Sequence, residues 1–319
     1  MREKTICVLG GTGFVGHHLA HRLVEDGYRV RILTRRRECH RDLLILPALD
    51  LVEADIHNLR TLAEQFTGCD AVINLIGILN EKGHDGSGFR APHVDLPDKI
   101  VRACLASGIE RVLHMSALNA RARTAPSHYL RTKGEGEDLL HTAPDLRVTS
   151  FRPSVIFGPG DSFINRFANL LRRIPFILPL ACPQARFAPV YVEDVVETLV
   201  RALPDFHTVG KRYNLCGPRT YTLQQLVEYT ARVLGIKRRI LGLNDRLSRL
   251  QAAAFEYLPG KPFSRDNYLS LQVDSLCHHD FPAIFGITPT PLEFIVPDYL
   301  APRGVRTRYP GYRTHANRD

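Results

Sequence analysis

The sequence predicts an α/β fold: a Rossmann-type doubly wound parallel sheet with a smaller α/β C-terminal substrate lobe. Three observations carry that expectation. A short apolar run, Thr5 to Leu9, ends in a glycine-rich turn and passes into an amphipathic stretch. Further apolar runs of strand length then alternate with stretches of helical period, the pattern of a parallel sheet covered by helices. The 319 residues also exceed the size at which single cores tend to split, so a large domain with a coupled lobe is expected.

The opening "TICVLGGTGFVGHHLAHRLVEDGYRVRILTR" reads as a buried strand, a glycine turn, a helix to about Asp26, a stop at Gly27 and a second strand, Arg29 to Thr34. Its glycines fall at Gly10, Gly13 and Gly16. That spacing meets three needs of a dinucleotide site: a tight turn, room for a pyrophosphate against backbone amides, and close packing of helix on strand. Gly10, Gly13, Phe14, Val15 and Gly16 are therefore expected along the cofactor. The second strand runs into Arg35-Arg36-Arg37, with no carboxylate for the ribose hydroxyls. Guanidinium groups there can pair with a 2′-phosphate, so NADPH is expected in preference to NAD, with Arg35 as its ligand. A solvated basic turn is the alternative.

"LDLVEADIHN" supplies a third strand ending at Asp55, which with Ile56 is expected beside the cofactor. "CDAVINLIGIL" supplies a fourth, whose end runs from Asn74 to Gly77, and "RVLHMSAL" a fifth ending at Ser116. Helices are expected over Leu59 to Phe66, Leu96 to Ser107 and about Ser127 to His141. Ligands of such sheets lie at the carboxyl ends of the strands, so Asp55, Gly77, Ser116 and the helix carrying Tyr129 should share one crevice. Tyr129 and Lys133 stand four apart and face the same way on a helix. A phenol is a poor proton carrier at neutral pH, and a neighbouring ammonium lowers its pKa. Taken alone, the pair could equally be a chance feature of an amphipathic helix.

GGTGFVG, Asp55, the strand-end Ser116, Tyr129-x-x-x-Lys133 and Glu137 together resemble the short-chain dehydrogenase/reductase superfamily in its extended or atypical branch. "RPSVIFGPGD", "FAPVYVEDVVETLVRAL" and "YNLCGPRTYTLQQL" fit the same pattern. Within it, the short interval from Ser116 to Tyr129 and the ending "FGITPTPLEFIVPDYL" are most similar to the NADPH-holding accessory subunit of respiratory complex I and its bacterial relatives. The resemblance spans roughly residues 4 to 300. It implies Tyr129 as acid/base, Lys133 as its partner and ribose ligand, and Ser116 as hydrogen-bond donor to the reacting oxygen. It also implies that Pro153 and Val155 border the nicotinamide. The expected organisation is a nucleotide-binding domain over 1–160, completed by about 187–217. A smaller lobe takes 161–186 and 218–300, and 301–319 forms a basic tail.

No run approaches the length of apolar residues that spans a bilayer, and the amino end lacks the pattern of a signal peptide, so the cytoplasm is the default expectation. The resemblance adds peripheral association with the inner membrane or a respiratory complex. The seven cysteines are scattered with no C-x-x-C pair, which argues against a disulfide framework and for reduced, mostly buried thiols. "CHHD", Cys277 to Asp280, lacks a second spaced pair of ligands, so no metal is expected. A formal net charge of +9 suggests an acidic partner. Nucleic acid is disfavoured, since the basic residues match no reading motif and are not interleaved with stacking aromatics.

The substrate leaves a thinner trace. "FINRFANLLRRIPFILPLACP", Phe163 to Pro183, is apolar with Arg166, Arg172 and Arg173 along it. A quinone or other lipid-like carbonyl compound suits such a lining, although a core helix followed by a buried strand reads equally well. Sugar nucleotides, the usual substrates of extended relatives, are the other option, with Arg186 or Arg219 on the diphosphate. Three functions follow: hydride transfer at a carbonyl or hydroxyl carbon, a non-catalytic NADPH-holding module of a membrane complex, and a sugar-nucleotide epimerase or dehydratase.

Overall fold

The computed structural model describes residues 3–259 and 261–301. In chain order the first half forms β1 (Thr5–Leu9), α1 (Phe14–Glu25), β2 (Arg29–Thr34), β3 (Leu49–Glu53), α2 (Leu59–Phe66), β4 (Ala71–Asn74), α3 (Leu96–Ser107), β5 (Arg111–Met115), α4 (His128–Thr142) and β6 (Arg147–Pro153). There follow β7 (Ile156–Phe157), α5 (Ile164–Arg173), β8 (Ile177–Leu180), β9 (Arg186–Phe187), β10 (Val190–Tyr191), α6 (Val192–Ala202) and β11 (Arg212–Leu215). The chain closes with β12 (Tyr221–Thr222), α7 (Leu223–Val233), β13 (Arg239–Gly242), α8 (Asp245–Phe255), α9 (Arg265–Ser270) and α10 (Leu292–Leu300).

Seven strands form one parallel sheet in the order β11-β6-β5-β4-β1-β2-β3. The order reverses between β1 and β4, which opens a crevice outside their carboxyl ends. Alternation along the strands buries both faces. Leu113 and Met115 of β5 join the core under α1 and α6, whereas Val112 joins the core under α2, α3 and α4. Gly16 lets α1 sit that close: a Cβ there would stand 2.3 Å from Gly10 O and 2.5 Å from Gly11 Cα. A third core is built from α5, α7, α10 and the short strands β8 and β9. The segment near the carboxyl end also returns to the sheet, where Phe285 packs on Phe151 and Tyr213.

Two sequence expectations are corrected. The third strand stops at Glu53, and Asp55 lies in the following turn, where its carboxylate accepts from His57 N at 2.9 Å. The thiols are not all reduced: Cys216, just past β11, is disulfide-bonded to Cys277 across 61 residues, with 6.0 Å between their Cα atoms. Folding brings the 275–277 segment against the Ala188–Gly217 region, a proximity that spacing in the chain cannot reveal. The disulfide also removes Cys277 as a metal ligand, and no metal-binding group of side chains occurs among the described residues. The expected basic tail lies outside the described residues, apart from Ala301.

Candidate active site

The glycine turn, the end of β4 and helix α4 meet at the crevice. Gly10 abuts the Leu75–Ile76 peptide, and a methyl group on Gly77 would stand 3.6 Å from Lys133 Nζ. Lys133 is buried and donates to Met115 O at 2.6 Å and Ile76 O at 3.4 Å, which joins the ends of β5 and β4 to α4. Burial lowers its pKa to about 8, with Glu137 pulling in the opposite direction. The helix comes this close because Gly136 has no side chain; a Cβ there would stand 1.8 Å from His93 O.

Tyr129 lies one turn before Lys133. Its ring meets His93 edge-on with centroids 5.6 Å apart, and Phe89 at 6.2 Å. Burial raises its pKa to about 12, and the Asp266 carboxylate adds to the effect. The expected lowering by Lys133 is therefore not what prevails: burial and Asp266 both raise the value, and the ammonium donates its bonds to backbone carbonyls. Tyr129 is a protonated phenol at neutral pH. Asp266 comes from α9 and accepts from His128 N at 2.6 Å and Tyr129 N at 3.1 Å, holding the first turn of α4.

Ser116 lies buried just past β5. Its hydroxyl donates to Glu137 Oε2 at 2.9 Å, and Glu137 is fully buried and paired with Arg152 at 2.9 Å and Arg212 at 3.4 Å. An unpaired buried carboxylate is costly, so this network claims the hydroxyl. The neighbouring Ala117 and Leu118 offer no other. Ser116 thus orients Glu137 under α4.

His93 was missed by sequence reasoning. It sits in a π-helical turn, Ala91–Asp95, a distortion common at functional sites. Ile78 N donates to its Nε2 at 3.0 Å, so the proton is on Nδ1, which donates to Thr132 Oγ1 at 2.9 Å. Burial, reinforced by Lys133, lowers its pKa to about 2. A permanently neutral imidazole thus ties the loop after β4 to α4. The signal available in the sequence was a histidine just after a proline at a helix start, which has no specific meaning alone.

The remaining predicted residues lie as follows. Phe14 and Val15 begin α1, and Phe14 lies near Gly160 in the turn after β7. Ile56 packs into the core beneath α2 and α3. Pro153 O accepts from Leu118 N at 3.1 Å, and Val155 O from Val190 N at 2.9 Å. Arg35 is exposed past the end of β2. The expectation that no carboxylate stands there needs amendment: β2 and β3 pair with Thr34 opposite Glu53, whose Oε2 accepts from Arg37 N at 3.2 Å.

The residues fit a nicotinamide dinucleotide. The N-terminus of α1 has no side-chain cap, a feature shared with α3, α5, α6 and α10, but only at α1 does a glycine turn precede it with backbone packed so close that a Cβ on Gly16 would overlap Gly10 and Gly11. Free amides at the end of a helix, behind a glycine turn, form a cradle for a pyrophosphate. The NAD dependent epimerase/dehydratase family model matches residues 6–216.

The chain belongs to that family.

It has the family's NAD(P)-binding fold, within the short-chain dehydrogenase/reductase superfamily, as the sequence resemblance implied. It is 30% identical to the mouse mitochondrial NADH dehydrogenase [ubiquinone] 1 alpha subcomplex subunit 9, covering 90% of this chain and 77% of that protein. It is also 30% identical to a ceramide reductase of Caulobacter vibrioides, covering 75% and 74%. Among solved structures, the UDP-glucuronic acid 4-epimerase of Bacillus cereus superposes with a TM-score of 0.66 at 19% identity, over 75% of this chain and 86% of that one. No helix among the described residues is long and apolar enough to cross a membrane.

Proposed function

We propose that this family member is an NADP(H)-binding oxidoreductase that reduces a carbonyl carbon of a quinone- or lipid-like substrate, with Tyr129 as proton donor. The observation that carries the reading is the half-buried, protonated Tyr129 one helical turn from Lys133 at the strand ends. NADPH, when bound, supplies the hydride. In the reductive direction Tyr129 Oη would give its proton to the carbonyl oxygen as the carbon is reduced to that of an alcohol, and solvent would reprotonate the phenolate. Lys133, charged below its pKa of about 8, stabilises the phenolate and holds the nicotinamide ribose. Arg35 pairs with the 2′-phosphate. The ceramide reductase among the relatives supports a lipid-like substrate class. The cytoplasm is its proposed compartment.

A second reading is a NADPH-holding module of a respiratory membrane complex. It is favoured by Ser116, whose hydroxyl is engaged with Glu137, and by the similarity to the complex I subunit. For the epimerase reading, the two arginines expected on the diphosphate are exposed and paired, Arg186 with Asp274 at 2.6 Å and Arg219 with Glu293 at 3.3 Å.

The test compares wild type with Tyr129→Phe for NADPH exchange and for NADPH oxidation with ubiquinone analogues and long-chain keto lipids. Exchange within seconds is expected, with turnover reduced on the order of 10²-fold or more in the variant and NADPH affinity kept. NADPH locked for hours, with no oxidation by wild type, rejects the reductase and selects the holding module.

A further inference from the structure

From the surface of the smaller lobe we infer that the protein docks on an anionic lipid bilayer through a patch centred on Phe176. Phe176 is 82% exposed and adopts a left-handed backbone, φ 63°, that a bulky residue takes only under constraint. Arg239 N donates to its carbonyl at 3.0 Å and holds it there. Neither burial nor backbone preference accounts for a phenylalanine at this position.

The patch extends along the ribbon of β8 and β13. These strands pair in parallel with Ile177 opposite Arg239 and Pro179 opposite Leu241, and all four are exposed. Leu178 and Leu180 fill the opposite face, so the outward face is mostly apolar. Helix α8 continues it: Gln251 Nε2 donates to Pro179 O at 3.3 Å, and Leu247 and Leu250 nearby on that helix are 47% and 65% exposed. A contiguous apolar surface of this kind marks an interaction site.

Its rim is basic. Arg172 and Arg173 end α5, and Lys237, Arg238 and Arg239 lead into β13. Arg238 Nε donates to Ile174 O at 3.1 Å, which brings the two basic runs together. Residues 163–183 and 232–242 hold seven arginines and lysines and no acid. Cavities of ≈ 440 Å³ beside Arg166 and Arg173 and ≈ 520 Å³ beside Lys237 and Arg239 flank the rim. Their acids are engaged: Asp161 is buried and accepts from Tyr299 Oη at 2.8 Å, and Glu228 accepts from Gln224 at 2.7 Å.

Apolar side chains bordered by cations match the interface of an anionic bilayer, where the first enter the acyl boundary and the second meet the headgroups. A second copy of the chain would face this patch with the same positive charge. A nucleic acid would need stacking faces, which Ile177, Leu241, Leu247 and Leu250 do not supply. The inference stands on surface chemistry and holds whether or not Tyr129 turns over substrate.

The experiment is co-sedimentation of the full chain with vesicles of phosphatidylcholine, with and without phosphatidylglycerol. Wild type is expected to partition at least about tenfold more strongly onto the anionic vesicles, and added salt should weaken that binding. Arg172→Glu/Arg173→Glu and Phe176→Ser/Ile177→Ser should each reduce it by about tenfold while bound nucleotide and thermal midpoint stay as in wild type. Residues 302–319 are present throughout, so their charge is constant. Equal binding to both vesicles, absence of binding, or variants that bind like wild type would overturn the inference. If one double variant fails to fold, the other decides.

Discussion

Around β1, α1 and β4 the chain closes upon itself to within contact distance of backbone atoms, whereas the β8·β13 ribbon leaves Phe176, Ile177 and Leu241 in water. The first region has no room for a Cβ at Gly11 or Gly16 and reads as a nucleotide cradle. The second has apolar surface with no partner among the described residues, and its meaning lies in what it would cover. Function can thus be read from constraint in one place and from incomplete burial in another.

The contrast predicts a graded series of effects. Gly16→Val should be the most severe, since its side chain would overlap the Gly10–Gly11 backbone; a stability loss above about 4 kcal/mol, with no nucleotide co-purifying, is expected. Thermal melting and analysis of released nucleotide would check it, and a normally folded, nucleotide-bound variant would break the account of the cradle.

Acid should act next, through the helix layer beside the cradle. Burial holds His93 near a pKa of about 2 and His141 about 4, and places His114 well below its ordinary value. These folded values lie beneath the unfolded one, so the unfolded chain binds protons that the native state refuses. Stability from these groups is unaffected above roughly pH 6.5 and falls as pH drops below it, by up to about 4 kcal/mol per pH unit for three histidines. Urea unfolding at neutral and mildly acid pH measures the slope, and His93→Gln should reduce it by about one proton. A flat profile would contradict the buried neutral histidines.

Arg35→Asp should weaken NADPH roughly 10- to 100-fold while leaving NADH little changed, the worth of charge-assisted hydrogen bonds to one phosphate. Titration of both nucleotides sharpens the comparison, because Glu53 already places a carboxylate nearby. An unchanged preference would remove Arg35 from the site. The smallest effect belongs to the ribbon: Phe176→Ser/Ile177→Ser should shift stability by no more than about 0.5 kcal/mol in denaturant. A large loss would mean that the patch supports the fold itself.

The legible parts of the molecule are those governed by local geometry. Leu59–Phe66 and Leu96–Ser107 form helices over the expected residues, and β1 and β2 match their expected strands, because apolar periodicity tracks the helix and the pleat. The third strand is two residues shorter than expected, an ordinary fraying of element ends. The Tyr129 and Lys133 placement was also legible, since four residues make about one turn. Their electrostatics were not, because the raised tyrosine depends on burial and on Asp266, 137 residues away.

By itself, the sequence determined the βαβ opening, its glycine turn, the family and the helix that carries Tyr129 and Lys133. Each follows from residues close enough in the chain for backbone geometry to relate them. Tertiary structure alone decided that Ser116 serves Glu137, that Cys216 meets Cys277, and that Arg238, before β13, reaches Ile174 at the end of α5 beside exposed Phe176. Those contacts cross 21, 61 and 64 residues, and nothing short of packing the sheet, its helices and the lobe sets which side chains meet across such distances.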